Sequence, residues 1–309
     1  MTRVLGTILA GLVGLAFGSF LNVCLSRWPT GESIVHPRSH CRSCGRTLAW
    51  WENVPLVSWL ALRGRCRSCR AWISWRYPLV ELAVGALWAY ITWLSSPAIL
   101  ARIIFAPQLH PSAVCLLLAW WAIKMSLCWI LVALAILDAE NLWLPDRLTY
   151  TGTALGYIFY VTHPTFYVTH TPIGSRYYDS WPQLVPGEIL HSSIVCIVGI
   201  LAAAGLILLI RWVYWLIRRR EGIGLGDAKL MAMLAAWLGL RGALLSFGLG
   251  VVLGAVAALV LLVLPSTRKS SEGWAHIKLP LGTFLCVGGI VSSLWGERMI
   301  DAYLRWAGL

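Results

Sequence analysis

Two aspartates, Asp138 and Asp227, have the surroundings in this sequence that most clearly suggest chemistry. Asp138 heads the segment Asp-Ala-Glu-Asn-Leu-Trp-Leu-Pro-Asp, and Asp227 ends Gly-Ile-Gly-Leu-Gly-Asp. Each lies where an apolar run of membrane length meets a polar loop, although a carboxylate costs about 3 kcal/mol or more at the bilayer centre. A single aspartate so placed could merely cap or end its helix. Two near one membrane surface favour acid–base hydrolysis, with one carboxyl protonated and the other ionised.

Four cysteines form a second group whose spacing indicates chemistry. Cys41 and Cys44 make one Cys-x-x-Cys pair, Cys66 and Cys69 make another, and 21 residues separate the pairs. Two such pairs supply the four thiolates that Zn²⁺ binds in tetrahedral geometry. The alternative is two disulfides, which a reducing cytoplasm disfavours. Four thiolates leave no open coordination position, so we assign this zinc to structure and not to hydrolysis. The other five cysteines lie in apolar runs and are expected in the core.

The composition predicts an all-α polytopic membrane protein. The chain has 309 residues, of which 59% are hydrophobic and 12% charged, and its mean hydropathy is +0.73. A helix needs about 20 apolar residues to span the hydrocarbon, whereas the strands of a β-barrel would alternate in shorter segments. We expect about eight transmembrane helices, the fourth and sixth being short. Their approximate bounds are 5–26, 79–98, 113–138, 147–162, 189–216, 228–240, 243–265 and 279–296.

Basic residues concentrate in three loops. The net charge is +12. The segment from Arg27 to Pro78 contains nine arginines, counting Arg27 itself, three more arginines follow the fifth span, and three basic residues lie between the seventh and eighth. If these loops are cytoplasmic, they obey the positive-inside rule. The N-terminus is then outside, and the cysteine segment and both aspartates face the cytoplasm. The distribution predicts attraction to anionic membrane lipid and argues against nucleic-acid binding.

The sequence divides into three parts. Residues 1–26 form the first transmembrane helix, 27–78 a small cytoplasmic zinc-binding lobe between the first and second helices, and 79–309 the transmembrane domain with both aspartates. The first apolar run continues into polar residues and more protein, so we expect no cleavable signal peptide. Five tryptophans are too many for a solvated loop, so we expect the lobe to fold on the membrane surface. They are Trp50, Trp51, Trp59, Trp72 and Trp75.

Several motifs together resemble the type IV prepilin peptidases, a family of leader peptidases and N-methyltransferases. The segment from Asp138 to Asp146 is similar to the family's Asp-x6-Pro-Asp motif, and Gly224 to Asp227 to its Gly-x-Gly-Asp motif. The resemblance covers nearly the whole chain, and its motifs occur in the family's order. The matching segments are 18–23, 27–29, 50–60, 63–66, 76–81, 138–146 and 221–230.

The resemblance implies an aspartic protease of the bacterial inner membrane that removes the short basic leader of type IV prepilins or type II secretion pseudopilins. Larger family members also methylate the new N-terminus with S-adenosylmethionine. Carried over by motif, Asp138 and Asp227 are the catalytic pair. Gly64 and Glu52 match the bifunctional members and are candidate donor-binding residues. Gly64 could equally be a turn glycine of the lobe, and Glu52 a capping or ion-pairing residue.

Four residues beside the aspartates are assigned accessory roles: Asp146, Gly224, Gly226 and Lys229. Pro145 would end or kink the local helix and hold Asp146 at the interface, where it could cap the next helix. Glycines permit backbone conformations and close approaches that side chains forbid. Irregular backbone in a membrane is tolerated only where protein or a water-filled cavity surrounds it, so we expect a wet crevice.

The chain departs from the family's pattern at several places. Asn141 stands where many members have a histidine, and Ala228 where an aromatic residue is common. The segment Leu279–Phe284 resembles the family's Pro-Phe-Gly-Pro without its Phe and second Pro. Both aspartates remain, so we expect effects on substrate positioning and not on peptidase chemistry. The loop 162–186 is longer than the family suggests and faces outside on this topology.

Three alternatives remain at this stage. The protein could be a peptidase only, with a zinc lobe that is structural. It could be a non-catalytic assembly scaffold, although loss of an aspartate would have been the sign of that. It could be an ion or solute transporter, since intramembrane aspartates bind cations; against this, the carboxylates lie at one surface and no inverted repeat is apparent.

Overall fold

A computed structural model of the protein describes residues 2–105, 111–162, 186–220, 224–263 and 279–308. These residues are mostly helical and contain no β-strand beyond two isolated bridges. The prediction of an all-α polytopic membrane protein is confirmed. The predicted outer loop 162–186 lies outside the described residues except at its two ends.

Eight α-helices make up the part of the chain that the structure describes, and one of them, α2, is a short helix of the cysteine lobe. A 3₁₀ turn at Trp50–Asn53 precedes α2. The helices are α1 (Thr2–Arg27), α2 (Val57–Ala61), α3 (Arg76–Phe105), α4 (Pro111–Asn141), α5 (Asp146–Thr162), α6 (Pro186–Arg218), α7 (Leu225–Val263) and α8 (Leu281–Trp306).

Five of these helices, α1, α3, α4, α6 and α7, are long and apolar enough to cross a membrane. Helix α5 has only 17 residues, and α8 has charged residues toward its C-terminal end. The predicted sixth and seventh spans fall within α7, which leaves helical geometry at Gly239 (φ 67°, ψ 174°). Such angles are open mainly to glycine, and the two predicted spans correspond to the helical runs on either side of this kink.

The chain forms two compact units, residues 1–133 and 134–309. The three-part division expected from the sequence stays a prediction. Four cysteines expected in the core are buried, whereas the side chain of Cys115 is not among those described. The buried ones are Cys24 and Cys128 in the first unit and Cys196 and Cys286 in the second.

In the first unit, α1 and α3 approach closely and hold the cysteine lobe. A Cβ on Gly18 would lie 2.7 Å from Glu81 Cα, so glycine permits this contact. The Asn22 side-chain amide donates to the Tyr77 carbonyl oxygen over 2.9 Å. Glu81 Oε2 accepts the backbone N–H of Leu56 over 2.8 Å. The start of α2 is thereby attached to α3.

In the second unit, α7 packs against α5, α6 and α8. The buried Trp237 of α7 donates from Nε1 to the Gly152 carbonyl oxygen over 2.8 Å. A Cβ on Gly156 would lie 2.5 Å from Trp237 Cδ1, so a small residue is needed there. Ser292 Oγ donates to the Gly242 carbonyl oxygen over 3.0 Å and links α8 to α7. These contacts fix α5, α7 and α8, whose first turns carry Asp146, Asp227 and Thr283.

Candidate active site

Asp138 and Asp227 both belong to the second unit, and both are almost completely buried. Asp138 lies in the last turn of α4 and is 6% exposed, and Asp227 lies in the first turn of α7 and is 8% exposed. The start of α8, which contacts Asp138, and the turn that carries Asp227 both pack against Leu144: the Cβ positions of Gly282 and Gly226 lie 3.0 and 3.1 Å from Leu144 Cδ1. Two like charges in a low-dielectric surrounding disfavour simultaneous ionisation. The pair therefore suits a site in which one carboxyl holds a proton.

Asp138 is held by the N-terminal end of α8. Its Oδ2 accepts the backbone N–H of Thr283 over 2.7 Å and lies 3.3 Å from Thr283 Oγ1. Pro280, the N-cap residue of α8, makes no side-chain cap hydrogen bond, so the first N–H groups of this helix need another acceptor. Asp138 supplies it from a different helix. The positive end of the helix dipole stabilises a negative charge at this position.

Asp227 is held by the glycine turn that precedes its own helix. The backbone N–H of Gly224 donates to Asp227 Oδ2 over 3.2 Å. A Cβ on Gly226 would lie 3.1 Å from Leu144 Cδ1, and a Cβ on Gly282 would lie 3.0 Å from the same atom. The Leu144 side chain therefore lies between the turn that carries this aspartate and the start of α8.

Asp146 and Lys229 form an ion pair at the N-terminal ends of α5 and α7. Lys229 Nζ lies 2.6 Å from Asp146 Oδ1, and the two side chains are 31% and 58% exposed. The sequence suggested that Asp146 caps α5, whereas its side chain pairs with this lysine. Exposed ion pairs contribute only about 0–1 kcal/mol to stability. The pair thus joins two helix ends beside Asp227 without adding much stability.

The four cysteines of the first unit come together. All four sulfur atoms lie within 4.8 Å of one another, and the sulfurs of Cys41 and Cys69 are 3.8 Å apart. A tetrahedral zinc with bonds of about 2.3 Å would separate its sulfurs by about 3.8 Å. The donor set and its spacing therefore fit a metal ion. The four ligand candidates are Cys41, Cys44, Cys66 and Cys69.

The two Cys-x-x-Cys pairs sit in matching turns. Gly45 N–H donates to the Cys41 carbonyl oxygen over 2.8 Å, and Arg70 N–H to the Cys66 carbonyl oxygen over 3.0 Å. Gly45 and Arg70 both adopt positive φ, at 71° and 60°. The backbone N–H groups of Cys69 and Ser68 lower the pKa of Cys66 to about 6. The second turn therefore favours the thiolate form of Cys66, which is the form that binds a metal ion. Burial and hydrogen bonds with the other three thiols instead raise the pKa of Cys69 to about 11.

Comparison with known proteins identifies the family. Residues 12–95 match the bacterial peptidase A24 N-terminal domain, and residues 125–259 match the type IV leader peptidase family. The chain belongs to the type IV leader peptidase family. Membership of this family makes the protein a peptidase.

Close relatives cover nearly the full chain. The chain is 32% identical to the prepilin leader peptidase/N-methyltransferase of Stutzerimonas stutzeri, over 99% of this chain and 96% of that protein. It is 31% identical to the protein of the same name from Pseudomonas aeruginosa, over 96% and 93%. It is also 31% identical to the type 4 prepilin-like proteins leader peptide-processing enzyme of Escherichia coli, over 92% of each. No solved structure matches the chain.

Glu52 and Gly64, which the family resemblance suggested as binding residues for the methyl donor, both contact other residues of the lobe. Glu52 Oε1 lies 2.5 Å from Arg46 Nη2, and its Oε2 accepts the Ala49 N–H over 2.8 Å. The pKa of Glu52 is lowered mainly by the hydrogen bond from the Ala49 N–H and, to a smaller extent, by the Arg46 guanidinium. Gly64 has φ 65°, and a Cβ there would lie 2.8 Å from Trp59 Cζ2. The geometry thus gives both residues a part in shaping the lobe.

Sequence reasoning missed three residues of the dyad site: Leu144, Gly282 and Thr283. The one signal was the departure of Leu279–Phe284 from the leader-peptidase pattern. We expected that departure to affect substrate positioning. The structure places Thr283, which stands where the family motif has its second proline, directly against Asp138.

Proposed function

We propose that the protein cleaves the short basic leader of type IV prepilins or type II secretion pseudopilins, with Asp138 and Asp227 as its catalytic pair. One observation carries this proposal: two buried carboxylates of a leader-peptidase family member lie where α4 ends and where α7 and α8 begin, around the Leu144 side chain. The names of the relatives, which are prepilin leader peptidases, support the substrate class. Gly224, Gly226, Asp146 and Lys229 would be accessory residues that shape the surroundings of the pair.

The chemistry is general acid–base hydrolysis. An ionised carboxylate takes a proton from water, and the water oxygen attacks the carbonyl carbon of the scissile peptide bond. The partner carboxyl gives its proton to the carbonyl oxygen as the tetrahedral intermediate forms. When the C–N bond breaks, the amine leaves with the proton taken from water, and the intermediate returns a proton to the partner. Both carboxyls end in their starting states.

We place the enzyme in the bacterial inner membrane, with its N-terminus outside and the cysteine lobe and aspartates on the cytoplasmic side. The basic loops support this orientation through the positive-inside rule. A prepilin has a basic cytoplasmic leader followed by an apolar helix. Its cleavage point would then lie at the depth of the membrane surface, where the apolar spans give way to the polar segments that contain the aspartates.

We propose that Cys41, Cys44, Cys66 and Cys69 hold one structural Zn²⁺. Their sulfur separations support this, as do the backbone N–H groups that lower the pKa of Cys66 to about 6. Four thiolates complete the coordination of the ion and leave no position for a water nucleophile. The zinc would therefore stabilise the lobe and leave hydrolysis to the aspartates.

We further propose that the protein N-methylates the new N-terminus with S-adenosylmethionine as substrate. The printed names of the relatives, leader peptidase/N-methyltransferase, support this second activity. Glu52 and Gly64 would serve it by holding the shape of the lobe, since both have partners within it. A peptidase without this activity is the competing reading.

The test of the catalytic pair uses purified full-length protein and a prepilin substrate. Asp138→Asn and Asp227→Asn should each abolish cleavage while the protein stays folded and membrane-inserted, because each removes a titrating carboxyl. Asp146→Asn is the matched control and should be much milder, since its exposed side chain only pairs with Lys229. Near-normal cleavage by either dyad variant would remove that residue from the mechanism. Failure of the wild type to cleave would favour a scaffold or transporter.

A further inference from the structure

We infer that Thr283 is a positioning residue that holds Asp138 in its ionised form, which makes Asp138 the carboxylate that takes the proton from water. The inference builds on the catalytic pair proposed above and assigns the two aspartates different roles. It is carried by the contacts of Thr283 with Asp138, which connect residues 145 positions apart.

The backbone of Thr283 fixes one oxygen of Asp138. The N–H of Thr283 donates to Oδ2 over 2.7 Å, a length typical of a strong hydrogen bond to a charged acceptor. Thr283 is the third residue of α8, where backbone N–H groups have no partner within the helix. The bond therefore costs α8 nothing. It orients the carboxylate and leaves Oδ1 as the oxygen available for proton transfer.

The hydroxyl of Thr283 faces two acceptors. Oγ1 lies 2.9 Å from the Ala135 carbonyl oxygen and 3.3 Å from Asp138 Oδ2. A hydroxyl has one proton to donate and two lone pairs to accept with. When Asp138 is ionised, the hydroxyl can turn and donate to it. When Asp138 is protonated, the hydroxyl can accept from it and donate to Ala135. The hydroxyl can therefore hydrogen-bond to Asp138 in both its ionised and its protonated form, and a general base passes through both.

Asp227 receives weaker support for a negative charge. Its Oδ2 accepts one N–H, from Gly224, over 3.2 Å. Hydrogen bonds to the ionised form of a carboxyl favour that form, and shorter charge-assisted bonds favour it more. Because Asp138 has the shorter bond and a second donor, the proton of the pair resides on Asp227. Asp227 is then the group that protonates the carbonyl oxygen.

The pH dependence of this arrangement involves few other groups. Two other titratable groups on the helices packed around this contact are Asp227 of α7 and the buried thiol of Cys286, one turn beyond Thr283 on α8. At the N-terminal ends of α5 and α7, Asp146 and Lys229 neutralise each other. Substitution of Thr283 changes none of these groups, so a change in pH profile reports on the Thr283–Asp138 contact.

The experiment compares Thr283→Val with Thr283→Ser in the purified full-length enzyme. Valine keeps the shape and the backbone N–H but removes the hydroxyl, whereas serine keeps both donors. Thr149→Val is the matched control, because Thr149 is fully buried and, among the described residues, its hydroxyl donates to the carbonyl oxygens of Pro145 and Asp146 and not to a carboxylate. The measurements are kcat and KM for prepilin cleavage across the pH range, with thermal unfolding in detergent as the check of folding.

We expect Thr283→Val to lower kcat about 10-fold with little change in KM, the size expected for one hydrogen bond to a charged group. Loss of the hydroxyl donor destabilises the ionised form of Asp138 relative to the protonated form. A higher pH is then needed to ionise the base, so the acidic limb of the kcat/KM profile moves up by about one pH unit. Thr283→Ser and Thr149→Val should stay near the wild type in both readouts.

Equal rates and equal pH profiles for Thr283→Val and Thr149→Val would overturn the inference. Loss of cleavage in Asp138→Asn would still uphold the proposed peptidase, so the two failures are distinguishable. If the valine variant does not fold, Thr283→Ala against Thr149→Ala gives the same comparison with smaller side chains. An unshifted acidic limb in folded Thr283→Ala would equally overturn the role of Thr283.

Discussion

Asp138 has little freedom, because the start of α8 comes into direct contact with its carboxylate. Oδ2 accepts the N–H of Thr283 over 2.7 Å, and a Cβ on Gly282 would lie only 2.9 Å from that same oxygen. Real Cβ atoms rarely come so close, so a side chain at 282 would displace either the carboxylate or the helix end. The residue beside the hydrogen-bond donor must therefore be glycine for the donor to reach.

We predict that Gly282→Ala lowers prepilin cleavage at least about 10-fold, since a displaced carboxylate loses a hydrogen bond to a charged group. Gly248→Ala is the control, because Gly248 lies within α7 with open space around its Cβ position. Alanine there should leave cleavage unchanged and slightly favour the helix, by about 0.5–1 kcal/mol. Cleavage assays on both folded variants decide the matter. Equal activities would show that the contact at 282 relaxes without effect on Asp138.

Among the structural elements, the cysteine lobe contains little regular secondary structure. Its elements are a four-residue 3₁₀ turn and the five-residue α2, and several of its tryptophans are exposed. Small folds with little core need cross-links or metals for stability. In the lobe, the contacts that substitute for a large apolar core are the matching turns around the four thiols, the Glu52–Arg46 ion pair and the hydrogen bond from the Leu56 N–H to Glu81. A metal ion bound by the four thiolates would add the folding free energy that such a small core does not provide.

We predict one Zn²⁺ per chain and loss of that zinc in Cys66→Ser, which removes one of four ligands. The variant should loosen the lobe and lower its stability, because metal binding energy is folding energy in such modules. Ser43→Ala is the control, since it lies between two ligands and leaves all four thiols in place. Elemental analysis of protein purified without a metal-affinity tag measures the stoichiometry, and a wild-type value near zero would refute the site. Cleavage should suffer less than in a dyad variant.

At the scale of the whole molecule, the sequence predicts features that depend on local patterns, such as helices and Cys-x-x-Cys turns, but not contacts between residues on different helices. Hydropathy marked the helices and put Asp138 and Asp227 at span ends, and the cysteine spacing predicted the thiol cluster. The pairing of Asp138 with Thr283 joins different helices, and no periodicity in one sequence reports such a contact. The kink at Gly239 lies close to the boundary that hydropathy predicted between the sixth and seventh spans, but only the backbone φ shows that this residue is where the helix breaks.

The two compact units carry different chemistry, since the cysteines belong to the first and both aspartates to the second. A defect confined to the lobe should therefore affect methyl transfer more than cleavage, if the lobe serves the methyl donor. Gly64 is the residue with which to test this. It has φ 65°, and a Cβ there would lie 2.8 Å from Trp59, so a side chain must push the indole away.

We predict that Gly64→Ala yields a cleaved but largely unmethylated pilin, whereas the wild type gives a mature N-terminus heavier by one methyl group. Gly31→Ala is the matched control: its φ is 71° but its Cβ would meet nothing within 4 Å, so it carries the same backbone strain without the clash. Mass spectrometry of the processed substrate reads both activities in one sample, and zinc content shows that the lobe persists. Equal loss of both activities in Gly64→Ala would mean that they are not separable through the lobe. A wild type that adds no methyl group with donor present would be a peptidase only, and its lobe would then serve structure or substrate docking.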